Sequence, residues 1–223
     1  MKKKKAVVNR KQVLTDPVFE LTRQNNAEFS RAAKANRLLR QAFKPGLSNK
    51  ADRFVSGRLT KTMYNILESD EVNERGKRRV TEGILPILEG FNFNRDCSLQ
   101  NVLRAPNSII FNKEAMQVTI CFPTFISKAM IETASGANAF ILTAIAASLH
   151  FEKETFPVAP VQTGLLDLFR HLQKNLQLPM PVIEHQPDHA LVVALGIEFF
   201  HEIRGTVKPV DKKHNAMAVV KVF

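Results

Sequence analysis

The spacing of apolar residues changes once along this chain, and that change limits what it can fold into. Up to about residue 90 they recur at the 3.6-residue period of helices buried on one side. From residue 98 onward they mostly alternate, as half-buried strands do. The expected class is α+β: a basic helical N-terminal region followed by an antiparallel β-sandwich or jelly-roll-like domain. Three segments follow: 1–15 a flexible basic arm, 16–92 the helical region and 93–223 the sandwich.

The first helix opens at Asp16-Pro17, where Asp caps and Pro suits the first turn, and stops before Pro45-Gly46. Val18, Leu21, Phe29, Ala32, Leu39 and Phe43 share one side, with Leu38 on its flank. A second helix from near Ser48 to Ser69 has Ala51, Val55, Leu59, Met63 and Ile66 as its stripe, with Lys50, Arg53, Arg58 and Lys61 pointing away. A short or kinked third helix spans about Arg79 to Glu89, with Pro86 inside it.

In the back half, Met116, Val118, Ile120 and Phe122 form one face of a strand that pairs with Ser108–Phe111. Residues 139–151 are an apolar run too rich in Ala to assign by period. Pro157 and Pro160 suit an edge strand, and 165–176 leans to strand. Leu191, Val193, Leu195, Ile197 and Phe199 share a face of a long strand, Ala190–Ile203, with Glu198 and Glu202 on the reverse. Thr206–Val210 and Ala216–Phe223 then complete a meander.

Charge follows the same division. Residues 1–95 carry 21 Lys and Arg against 10 Asp and Glu, and residues 96–223 carry 11 against 11. A one-sided positive field attracts polyanions. Basic residues on the outer face of a helix also serve solubility alone. The binding reading rests on the combination: Lys2, Lys3, Lys4, Lys5, Arg10 and Lys11 in the arm, and Arg23, Arg31, Lys34, Arg37 and Lys44 on the first helix, together with the triplet Lys77-Arg78-Arg79. Only Asp16, Glu20 and Glu28 oppose the 13 basic residues of the first 50. Nucleic acid is the partner that this pattern favours, engaged through its phosphates. Sixteen Phe with one Tyr and no Trp argue against base-stacking or sugar-binding platforms and for packing, including contact between copies.

Enzyme signatures are missing: there is no nucleophile motif, no Walker A sequence and no dinucleotide-binding glycine pattern. All six histidines lie in the back half. Glu184-His185-x-x-Asp188-His189 is the one cluster with metal-ligand spacing, but Pro187 makes it a loop, so neither a metal nor a cofactor is assigned. His201 reads as a core-edge residue, and Cys97 and Cys121 as reduced, inert thiols. No run is long enough for a membrane span, and the segment after Lys5 is too charged for a signal peptide. The expected location is the cytoplasm or an assembled particle.

The runs Asp16-Pro17-x-Phe19, Thr22-Arg23-x-Asn25, Glu28-Phe29, Arg31-Ala32-x-Lys34-Ala35 and Leu38-Leu39-Arg40 form a set with Gly90-Phe91-x-Phe93-Asn94, Leu195-Gly196-Ile197-Glu198-Phe199 and Asn215-Ala216-Met217-Ala218. Together they resemble a bacterial protein family of no assigned activity, so the resemblance implies no functional residue. Where many members of that family begin with a strand-rich segment, this chain has Met1–Lys11.

The leading expectation is a non-enzymatic assembly protein: the basic arm and helices hold a polyanion, and the β domain self-associates into a homo-oligomer or larger assembly. The alternative is a partner-binding module whose front helices pack on another protein while their basic faces stay solvated. The third is a metal-dependent enzyme using the 184–189 loop.

Overall fold

The computed structural model describes residues 9–133, 136–169 and 172–223. Lys2, Lys3, Lys4 and Lys5 lie outside them. Helices α1 (Arg10–Thr15), α2 (Glu20–Ala42), α3 (Lys44–Leu47) and α4 (Val55–Glu68) come first, and α5 (Leu99–Val102) leads into the strands. The strands are β1 (Ser108–Asn112), β2 (Gln117–Phe122), β3 (Phe125–Ile126), β4 (Ala139–Leu149), β5 (Val158–Gln162), β6 (Leu166–Asp167), β7 (Leu172–Gln173), β8 (Leu176–Pro181), β9 (Ala190–Ile203), β10 (Thr206–Pro209) and β11 (Ala216–Val222).

Two long strands, β4 and β9, pair antiparallel over their whole common length and form the spine of a six-stranded sheet. Each outer edge of the spine carries two strands end to end: β5 and β6 on β4, and β10 and β11 on β9. A three-stranded sheet, β1-β2-β8, packs over one face. The helical layer covers the other. Every strand pair is antiparallel, and the sheets form a sandwich rather than a closed barrel.

Alternation in the sequence maps onto two cores. Leu191, Val193, Leu195, Ile197 and Phe199 point toward the small sheet, where they meet Val118, Ile120, Phe122, Leu178 and Met180. Ala190, Val192 and Ala194 point the other way, against Leu39, Phe43, Leu59, Met63 and Ile66 of the helices. The helical layer therefore shares one core with the large sheet. Among the described residues, no helix is long and apolar enough to cross a membrane.

Several expectations need correction. Residues 10–15, expected within a flexible arm, form a helical turn, because Asn9 and Gln12 satisfy each other's backbone N–H groups as a capping box. The second helix starts at Val55 rather than near Ser48, since the Asp52 side chain accepts from the Phe54 N–H and turns the chain just before it. The third helix shrinks to a 3₁₀ turn, Leu85–Leu88. There Gly83 lies so close to the Ile66 carbonyl that a Cβ would sit 2.0 Å from its oxygen.

The meander is also rearranged. β11 pairs with β9 and not with β10, because the Lys212–His214 turn carries the chain back onto the free edge of β9. His201 is exposed rather than at the core edge. The edge strand at 158–162 and the strand character of 166–167 and 172–173 agree with expectation.

Candidate functional site

The first helix was expected to bury one continuous stripe, but it does so over only half its length. Ala32, Leu38, Leu39 and Phe43 are buried, whereas Val18, Leu21 and Phe29 are 82%, 60% and 59% exposed. The stripe therefore runs past the sheet and α4, which cover it only from about Ala32 onward.

The cations divide into two kinds. Arg23 donates to the carbonyls of Val13 and Asp16 and ties the first turns to α2. Arg31 donates to the carbonyls of Gly76 and Arg78, beside buried Glu28, which accepts the Gly76 N–H. Both cations brace backbone carbonyls. Lys50 and Arg58, expected to point outward, turn in. Lys50 is 3% exposed and pairs with Glu198 at 2.8 Å. Arg58 pairs with Asp52 and donates to the carbonyls of Asn92 and Phe93. Helical spacing shows which side of a helix a residue is on, but not that a loop will fold over that side.

Lys34 and Arg37 stay exposed and both reach Glu154, at 3.1 and 2.6 Å, which holds its carboxyl below the usual range. Arg10, Lys11 and Lys44 are exposed. At the end of α2, Arg37, Arg40 and Lys44 line an open cleft of about 520 Å³ with Gln41, Ser48, Leu47, Ala51 and Val55. No carboxylate lines it. Just beyond, the ring of exposed Phe54 carries the guanidinium groups of Arg53 and Arg95, 4.5 and 4.6 Å from its centroid. The end of α2 and the 48–55 segment thus present fixed positive charge beside an aromatic face.

A second constellation lies at the far end of the spine. Ser148, the penultimate residue of β4, is buried, and its Oγ lies 3.0 Å from His185 Nδ1 and 2.8 Å from His189 Nδ1. Asp188 Oδ2 lies 3.1 Å from His150 Nε2, and Asp188 Oδ1 lies 3.7 Å from His189 Nε2. The Lys153 N–H donates to His150 Nδ1 at 3.0 Å. His185 also packs edge-on against Phe111 of β1. Sequence reading found His185, Asp188 and His189. It missed Ser148 and His150, whose signal was two polar residues, two apart, ending the apolar run 139–151.

The nearest ligand atoms of His150, Asp188 and His189 lie within 4.8 Å of one another, close enough to share a metal ion. The hydrogen bonding opposes that use. A histidine that ligates through Nε2 normally carries its proton on Nδ1 and donates it onward. Here His150 Nδ1 accepts an N–H, so the neutral ring holds its proton on Nε2, which faces Asp188 Oδ2 at 3.1 Å. The Ser148 hydroxyl bridges His185 and His189, and Asp188 stands between His189 and His150. The Ser148 hydroxyl is sealed beneath the two rings.

Both cysteines are free. Cys97 gives its S–H to the His214 carbonyl, and burial and the nearby Glu132 push its thiol up, away from the reactive thiolate. No protein-family model, curated protein or solved structure matches the chain.

Proposed function

We propose that this is a non-enzymatic assembly protein that holds a polyanion, nucleic acid above all, on the outer surface of its helical layer. The observation that carries the reading is the cleft lined by Arg40 and Lys44, with no carboxylate among the described residues that line it and with Arg37, held by Glu154, on its wall. The Arg53–Phe54–Arg95 stack beside it supports the same reading. Phosphate contacts of this kind release counterions, so affinity falls steeply with salt. Lys2, Lys3, Lys4, Lys5, Arg10 and Lys11 add positive charge in the same part of the sequence. Arg23 and Arg31 leave the binding set, because their guanidinium groups are committed to carbonyls. Self-association belongs to the β layers, where Ile203 and Val207 are exposed on the β9–β10 hairpin.

The test is binding of a double-stranded DNA or RNA oligomer as salt is raised. Substituting Arg40→Gln and Lys44→Gln together should weaken binding uniformly across sequences and lower the salt slope by about 1 per contact removed. Affinity that ignores salt, or is untouched by the double variant, overturns the reading.

A second reading rests on the exposed apolar residues at the start of α2 and just before it, Val18, Leu21 and Phe29. Here the front helices pack on another protein. Replacing Leu21 and Phe29 by Ser separates the two: it abolishes partner capture and leaves nucleic-acid affinity intact.

A further inference from the structure

The histidine cluster joins elements that are far apart in the chain. The 182–189 loop connects β8 of the small sheet to β9 of the large one. Its first residue is tied to the small sheet by the Val182 N–H donated to the Met116 carbonyl. Its histidines reach Ser148 on the end of β4, and His185 leans on Phe111 of β1. His150, Asp188 and His189 also line a cleft of about 560 Å³ whose far wall, Arg79 to Leu85, belongs to the helical layer. The cluster is the seam of all three layers.

The proton positions are constrained from one end. The Lys153 N–H makes His150 Nδ1 an acceptor, so the neutral His150 ring carries its proton on Nε2, facing Asp188 Oδ2 at 3.1 Å. The Asp188 carboxylate favours a proton on His189 Nε2 as well, leaving His189 Nδ1 to accept from the Ser148 hydroxyl. Ser148 Oγ then accepts from His185 Nδ1–H. One added proton on His189 is tolerated: His189 donates to Ser148, Ser148 turns to donate to His185, and His185 moves its own proton to Nε2. A second is not. With both rings charged, two N–H donors converge on one oxygen, and the hydroxyl proton loses its acceptor in the cluster.

We propose that this cluster is a proton-operated latch, closing the 182–189 loop onto β4 while His185 and His189 share at most one extra proton and releasing it when both are charged. The surroundings favour this sign. The ring centroids of His185 and His189 are 6.1 Å apart. Lys113 bears on His185 from the β1–β2 turn, and Lys153 on Asp188 from the 150–155 turn. Arg79, Glu82 and Glu152 line the cleft, Glu184 lies on the loop, and Asp188 is largely solvated. Burial, His189 and Lys113 all hold His185 below its ordinary value of 6.5. The unfolded chain therefore binds more protons below that value, and the latch weakens as pH falls through about 6.5.

Nitrogen-15 NMR of the histidines in the intact chain reads tautomers directly. At pH 8, His185 should carry its proton on Nδ1 and His189 on Nε2, and on acidification the two should titrate as a coupled pair. Amide exchange, corrected for its intrinsic pH dependence, should accelerate at least tenfold in 182–191 between pH 7.5 and 5 and stay level at Leu195–Ile197. In His185→Gln that acceleration should shrink at least threefold. If this variant does not fold, the wild-type tautomers and exchange decide alone. Independent titration, level exchange, or tight binding of one zinc ion through His150 and His189 at pH 7.5 would overturn the proposal.

Discussion

The two faces of β9 solve different packing problems. Toward the small sheet it presents Leu191, Val193, Leu195, Ile197 and Phe199; toward the helices it presents Ala190, Val192, Ala194, Gly196 and Glu198. Where sheet meets sheet, both sides supply bulk. Where helices meet sheet, Leu39, Phe43, Leu59 and Met63 supply it, and the strand must stay small to let them approach. The helical face also holds a charge pair that the sandwich face lacks. Lys50 crosses over Gly196, where a Cβ would lie 2.9 Å from its Cδ, and reaches Glu198. A basic residue of the front half is thereby spent on docking rather than on any partner.

Breaking that pair is the most damaging change expected on the helical face. Lys50→Met leaves Glu198 with only the Asn49 amide as partner and should cost about 3–5 kcal/mol in urea unfolding. Lys50→Met with Glu198→Met removes both charges and should recover most of the loss, because two apolar side chains need no compensation. A double variant as unstable as the single one would mean that the pair, and not the apolar packing, holds the helical layer to the sheet.

Gly196→Ala sharpens the comparison at lower cost. The added methyl meets the flexible Lys50 chain, but also the Ala216 carbonyl at 3.1 Å and Met217 Cβ at 3.2 Å, which are fixed by the pairing of β11 with β9. A loss of about 1–3 kcal/mol is expected, the usual penalty of overpacking. Ala substitution at a solvent-facing glycine such as Gly57, with open space around it, serves as the control.

These residues also show what was legible beforehand. The register of β9 followed from alternation alone, since each side of the strand meets its own core and a slip by one residue would exchange them. The role of Lys50 did not, because its partner lies 148 residues away and nothing local distinguishes it from a solvated lysine. The start of α4 differs for a local reason: 48–54 carries helix-compatible spacing, and the Asp52 side chain turns it aside. In the histidine cluster the loop half was visible as a spacing, while Ser148 and His150 join it only once β4 and β9 pair.

The smallest effect is expected at the open end of α2, whose two halves repeat the contrast between buried and open apolar surface within one helix. Leu39→Ala empties a fully buried site between α4 and the sheet and should cost about 2–5 kcal/mol. Leu21→Ala, three-fifths exposed on the same stripe, should change stability by no more than about 0.5 kcal/mol. Equal losses at both positions would mean that the outer half of the stripe is already covered in solution. Stability that depends on protein concentration in the parent, and no longer in Leu21→Ala, would identify the cover as a second copy, because only an associated state is stabilised by mass action.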